Sequence, residues 1–238
     1  MKHKKAENRY PIKLSKYSSH SKIARFLNSE IKLDESVSIL DIGCSKGELR
    51  DLIKADSVRY LGVEPFMEDF QCAQTKGLQV INCSAEDAVI QIKEKFEFIV
   101  FADVLEPLQD PGAVLESCHE LLKSNGKIII SIPNIAHFPT RLTLLFGQWN
   151  YTDRGILDRT HLRFFTKKSF RAEIVDCGFS TVKFLSTPIP LEALFPHLNR
   201  HLFHFLDNLM YLPTLLYPKI FGYQHIWIIT PNREQSSV

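Results

Sequence analysis

Asp41 and Glu64 are the first residues in this chain placed to do chemistry. Each follows a short apolar run, residues 37–40 and 59–63, and their separation is close to the ~20 residues that nucleotide-binding folds leave between a glycine turn and the acid that grips ribose hydroxyls. A carboxylate can accept hydrogen bonds from both hydroxyls of a vicinal diol. Past the first acid runs Asp41-Ile42-Gly43-Cys44-Ser45-Lys46-Gly47. Gly43 and Gly47 have no Cβ, so the backbone there can turn through positive φ and let a ligand approach closely. A phosphate-cradling loop carries Lys-Ser/Thr after its second glycine, whereas Glu48 and Leu49 stand here. An acid at position 41 favours a cationic or hydroxylic partner over a phosphate. The G-x-x-x-G spacing of Gly43 and Gly47 also departs from the G-x-G-x-x-G of NAD-binding turns.

These residues have to be held by strand ends. Residues 37–40, 59–63, 78–82, 96–101 and 127–132 read as buried strands, separated by stretches with helix signals. Ser18 and Ser19 precede an apolar stripe at Ile23, Phe26 and Leu27; Gly77 follows a helix over 67–76; Asp110-Pro111 is an N-cap with proline at N1 for a helix reaching residue 122. Thr166 caps a helix over 167–177 that stops at Gly178, and residues 179–185 and 223–229 are two further strands. Strands alternating with helices predict an α/β, doubly wound sheet with ligands at its carboxyl edge. That edge gathers Asp41, Glu64, Ser84, Asp103 and Pro133. Phe66, after Pro65, can lie against a base or pack in the core.

Residues 135–166 are longer than a simple connection and hold Arg141, Trp149, Tyr151, Asp153, Arg154, Asp158, Arg159, His161 and Arg163. His161 is the candidate general base, because an imidazole titrates near neutrality. Its alternative role is to tie this segment to the sheet by hydrogen bonds. Residues 188–222 form a second long insertion. Leu198, Leu202, Phe205, Leu206 and Leu209 make one helical face there, with His197, His201, His204 and Asn208 on its flank. The histidine spacing could hold a metal, but no carboxylate or cysteine joins it locally, so no metal site is expected. The apolar face predicts a helix that covers the cleft, contacts a second copy in a homodimer, or dips into a membrane surface.

Composition bounds the remainder. With 238 residues, 45% hydrophobic and 24% charged, the chain reads as one domain, residues 17–238, after a flexible basic tail over 1–16. A net charge of +2 leaves no basic footprint for nucleic acid. Neither a signal peptide nor a membrane span is expected, and five scattered cysteines read as reduced thiols. The expected location is cytoplasmic, with a membrane-peripheral one if the insertion meets lipid.

The run from Asp41 to Gly47 resembles the first motif of class I S-adenosylmethionine-dependent methyltransferases, with Ser45 in place of a frequent middle glycine. Ala102 to Leu108 after the fourth strand resembles that family's second region, although Glu97 stands for a frequent aspartate and Pro107 for a frequent histidine. The phrase from Gly155 to Thr166 resembles a segment of bacterial members found among cell-surface polysaccharide and small-metabolite genes, where it folds over the substrate. The resemblance implies a seven-stranded, mostly parallel, Rossmann-like methyltransferase fold, its last strand inserted between the fifth and sixth after the helical insertion. It implies S-adenosylmethionine as cofactor, held by Asp41, Gly43, Cys44, Ser45 and Gly47 at the methionine end, Glu64 and Pro65 at the ribose, Ser84 and Ala85 at the adenine, and Ala102 and Asp103 at the reacting side. It places Asp103 and His161 as catalytic residues, Tyr17 or His20 near the site, and methyl transfer to an oxygen or nitrogen of a small-molecule or glycan-linked acceptor as the reaction. A methyltransferase-like scaffold without turnover, or a peripheral membrane protein acting through residues 195–221, are the alternatives.

Overall fold

Apolar residues alternate along the central strands, so each strand feeds both faces of one sheet. Leu40, Ile42, Phe101, Ile130 and Trp227 enter one core, while Ile39, Val100, Ile129, Ile226 and Ile228 enter the other. The computed structural model describes residues 15–32, 35–195 and 199–232. Its elements in chain order are α1 (Ser19–Glu30), β1 (Ser38–Ile42), α2 (Glu48–Leu52), β2 (Arg59–Val63), α3 (Met67–Thr75), β3 (Gln79–Ile81), α4 (Ala85–Gln91), β4 (Phe96–Ala102), α5 (Pro111–Leu121), β5 (Leu122–Pro133), α6 (Phe138–Leu145), α7 (Lys167–Asp176), β6 (Phe179–Thr187), α8 (Leu191–Leu194), α9 (Arg200–Leu216), α10 (Pro218–Phe221) and β7 (Gln224–Pro231). The sheet order is β3-β2-β1-β4-β5-β7-β6, parallel except for β7, which runs antiparallel to both β5 and β6. This is the expected doubly wound, mostly parallel arrangement. Helices α4, α5 and α7 contribute Val89, Leu115 and Phe170 to the first core; α1 and α2 contribute Ile23, Leu27 and Leu49 to the second.

Four local features differ from the sequence expectation. Residues 85–91 form α4, because Ser84 accepts from the Asp87 amide at 3.0 Å and so starts a helix where a turn was expected. Strand β5 begins at Leu122, opposite Phe96, and a register shift between Phe96 and Phe98 absorbs the extra residues. Residues 138–145 of the expected lid are helical. Ser15, inside the expected flexible tail, is buried and donates to Asp207 Oδ2 at 2.7 Å, so the folded body starts before residue 17.

The insertion helix α9 turns much of its apolar face outward. Leu202, Phe205 and Leu209 are exposed and Leu206 is half-buried, whereas Phe203, Asp207 and Thr214 are buried; Leu198 and His197 lie outside the described residues. The reason is that α9 meets a polar and aromatic neighbour. Tyr17 stacks on Tyr211 at 4.0 Å and donates to Asn208 Oδ1 at 2.7 Å, and the Lys22 ammonium sits 4.2 Å over the Tyr211 ring. Tyr17 is thus committed to the insertion, and His20 lies half-buried on α1.

Candidate active site

The glycine turn sits where β1 and β2, paired Asp41 to Gly62 and Ile42 to Val63, both end. Gly43 and Gly47 take φ of +74° and +79°, and a Cβ on Gly43 would come within 2.4 Å of Val104 Cγ2. The turn therefore presses directly on the loop after β4. Ser45 is also left-handed, with φ of +47°, at the position where the resembled motif usually has glycine. A side chain there costs about 1–2 kcal/mol, offset by the Ser45 amide donating to Glu64 Oε2 at 2.8 Å. Every amide of the turn is used internally. Gly43 and Cys44 donate to the Val63 carbonyl, Lys46 to the Glu48 carboxylate and Gly47 to the Cys44 carbonyl. The turn offers no row of free donors to a phosphate.

Its surroundings are acidic instead. Asp41 is 2% exposed; the Tyr60 hydroxyl donates to Oδ2, while Oδ1 is buried with no partner. Burial, reinforced by Glu48 and Glu64 and opposed by the Tyr60 bond, pushes its carboxyl up to about 7. Glu64 is also buried, and burial raises its carboxyl while the amides of Phe66 (2.9 Å) and Ser45 hold the ionised form. Asp69 accepts from the Ser45 hydroxyl at 3.2 Å. Four carboxylates, Asp41, Glu48, Glu64 and Asp69, thus gather about one turn, a field that attracts a cation. Burial raises the Cys44 thiol far above its ordinary value, which makes it packing material rather than a nucleophile. Pro65 and Phe66 are exposed, so Phe66 is not a core aromatic. The Ser84 hydroxyl is engaged by the α4 amide and by Asp87 Oδ2 at 2.8 Å, leaving Ala85 as the first residue of that helix.

Ala102 ends β4, and Asp103 follows in the left-handed region with φ of +61°, which aspartate tolerates better than most residues. Its carboxylate accepts from Ser131 Oγ at 2.9 Å and from Gln224 Nε2 at 2.6 Å. Asp103 is thereby locked to β5 and β7. The segment 155–166 reaches the same loop, since the amides of Leu162 and Arg163 both donate to the Glu106 carbonyl at 2.9 Å. His161 stands beside that junction; its Nδ1 is buried without a partner and its ring meets Phe164 edge-on. Asp158 braces the segment by accepting from the Thr160 amide and hydroxyl. These bonds tie the segment that carries His161 to the loop that begins with Asp103.

Sequence reasoning passed over several residues here. Glu106 is 1% exposed, both its carboxylate oxygens lack partners, and burial together with the Asp103 charge raises it well above the carboxylate range. The available signal was an acid between Leu105 and Pro107 in an apolar stretch. Gln224 and Ser131, which fix Asp103, lie on distant strands and carried no local signal. His137 and His225 are buried, and desolvation lowers both to about 4, so they are neutral imidazoles at physiological pH.

The methyltransferase domain family matches residues 13–183, well over half of the chain. The chain belongs to the methyltransferase domain family. Among its relatives is the mitochondrial ubiquinone biosynthesis O-methyltransferase of Mus musculus, 26% identical over 121 residues, covering 47% of this chain and 33% of the relative. The Pseudomonas syringae ubiquinone biosynthesis O-methyltransferase is 26% identical over 102 residues, covering 40% and 44%. The methyltransferase domain thus spans between a third and a half of the curated relatives it matches. Solved structures repeat its fold. A SAM-dependent methyltransferase from Archaeoglobus fulgidus has a TM-score of 0.59 at 17% identity, covering 90% of this chain and 95% of that one. The magnesium protoporphyrin IX methyltransferase of Synechocystis PCC 6803, solved with bound SAH, has a TM-score of 0.60 at 15% identity, covering 90% and 82%.

Proposed function

We propose that this chain transfers a methyl group from S-adenosylmethionine to a hydroxyl oxygen of a small-molecule acceptor. The observation that carries this reading is the buried, unpartnered Asp41 Oδ1 beside a glycine turn whose amides are already satisfied and whose neighbours are acids. Such a turn fits a cationic, diol-bearing ligand and disfavours a phosphate. Asp41 would face the ammonium of the methionine end, Glu64 the ribose diol, and Ala85 with Ser84 the adenine edge, with Ala102 walling the reacting side. When bound, the sulfonium supplies an already activated methyl group.

The chain's own work is alignment and proton handling. Asp103, held by Gln224 and Ser131, fixes the floor on which the acceptor rests. His161 takes the proton of the acceptor hydroxyl, and the lid, tied down through the Glu106 carbonyl, keeps water from the reacting end. Oxygen is favoured over nitrogen because the curated relatives are named as O-methyltransferases. A glycan-linked hydroxyl remains the alternative acceptor form, and five free thiols suit a reducing cytoplasm. For residues 195–221, a membrane surface fits better than a second copy, for reasons of charge given below.

The test is a methyl-release assay over a panel of phenolic and sugar hydroxyl acceptors, with His161→Gln alongside. Expected is turnover on at least one hydroxyl class and a kcat for His161→Gln lowered by about 100-fold or more, with cofactor affinity unchanged. Binding of the cofactor without turnover on any acceptor would favour the scaffold reading.

A further inference from the structure

Two apolar surfaces lie open, one on α6 and one on α9. No residue of α6 is buried, and Leu142 and Leu145 are 43% and 78% exposed, with Phe146 beyond them at 71%. On α9, Leu209, Leu212 and Leu216 are 48%, 54% and 63% exposed, along the side opposite Phe203 and Asp207. The two helices are linked through α10. Phe138 meets Phe221 at 6.1 Å, and Thr214 donates to the Phe221 carbonyl. Asn134, at the end of β5, donates to the carbonyls of Lys219 and Gly222. The three helices are therefore joined at the end of β5, with exposed leucines on α6 and on the outward side of α9, while Thr214 makes its bond from the inward side. No helix among the described residues is long and apolar enough to cross a membrane.

Charge selects the occupant. The acid of α9, Asp207, is turned inward and receives the Ser15 hydroxyl, and α6 and α10 carry no acid. Arg141 and Lys219 are exposed on these helices, and burial, with Lys219 and Arg171 adding to it, pushes the Lys167 ammonium down. Helices that expose leucines, Arg141 and Lys219 but no carboxylate of their own among the described residues match the interface of an anionic bilayer. A two-fold pairing of identical copies would instead set these cations against each other with no carboxylate to answer them. We infer that the α6–α10–α9 face docks on the surface of a membrane containing anionic lipid, bringing the lid side of the cleft against the headgroups. Delivery of a bilayer-resident hydroxyl acceptor rests on the methyl-transfer reading; docking does not.

The test is flotation of the full chain with vesicles of phosphatidylcholine alone and of phosphatidylcholine with about 30% phosphatidylglycerol, a composition that gives the surface a negative potential. Expected is flotation with the anionic vesicles, weakened by salt. The double variant Leu145→Glu/Leu212→Glu should bind at least about tenfold more weakly, with unchanged melting temperature and unchanged binding of S-adenosylmethionine. Two results overturn the inference: a parent that stays in solution with both vesicle types, or light scattering that shows a dimer which the double variant dissociates.

Discussion

Glu64→Ala is expected to weaken binding of S-adenosylmethionine by on the order of a hundredfold. A charge-assisted hydrogen bond contributes about 1.5–3 kcal/mol, a diol offers two, and about 2.7 kcal/mol corresponds to a hundredfold in affinity. Glu64 also receives the amides of Ser45 and Phe66, so its loss releases a turn whose middle residue is strained at φ of +47°. Glu64→Gln keeps an oxygen for only one of the two turn amides, since Ser45 donates to Oε2 and Phe66 to Oε1, and gives up the charge that grips the diol, so its melting temperature beside that of Glu64→Ala reads how much the turn contributes. Calorimetric titration of both variants, with melting temperatures recorded, reads the result. Parent-like affinity in both would mean the ribose is held elsewhere.

Glu106→Gln is expected to stabilise the protein at alkaline pH. The Glu106 carboxyl is raised in the folded state by burial first and by Asp103 second. Its protonated form is therefore the one the fold prefers, so its contribution is intact below the unfolded carboxylate value near 4.3 and declines as pH rises above it. Glutamine cannot ionise and avoids that decline. An unsatisfied buried polar group costs about 1–3 kcal/mol, more when charged. In a chain of this size each kcal/mol moves the melting temperature by about 2–4 °C. At pH 8 the variant should melt several degrees above the parent, and near pH 4 the two should converge. A variant that melts lower at pH 8 would show that Glu106 is ionised and paired.

That such an acid is kept in the core against stability marks it as functional ground, and it is also where the sequence was least legible. Strands were readable because short apolar runs between turn signals are local features, whereas the face each residue takes, Ile39 on one and Leu40 on the other, emerged only from the sheet. The carboxyl-edge acids Asp41, Glu64 and Asp103 followed from where those runs stop. Two things were not local. The partners of Asp103 come from β5 and β7, far along the chain, so nothing near position 103 announces them. Which of its three expected roles the apolar stripe of α9 serves was not local either, because the stripe does not say what covers it; Ser15, Tyr17 and Lys22 meet the other side of the helix and leave the leucines outward. Ser45 shows the reverse case, where the departure from glycine became intelligible only once its left-handed φ and its bond to Glu64 were seen.

The most direct test of the account is titration of the full chain with S-adenosylmethionine, S-adenosylhomocysteine, NAD and ATP at several pH values. Saturable one-to-one binding of the sulfonium S-adenosylmethionine and of the thioether S-adenosylhomocysteine, and none of the phosphate-bearing compounds, is predicted. The affinity for S-adenosylmethionine should fall as pH drops below about 7, where Asp41 takes up its proton, by at most about tenfold per pH unit. Saturable heat from NAD or ATP alone, or from none of the four, would contradict the account.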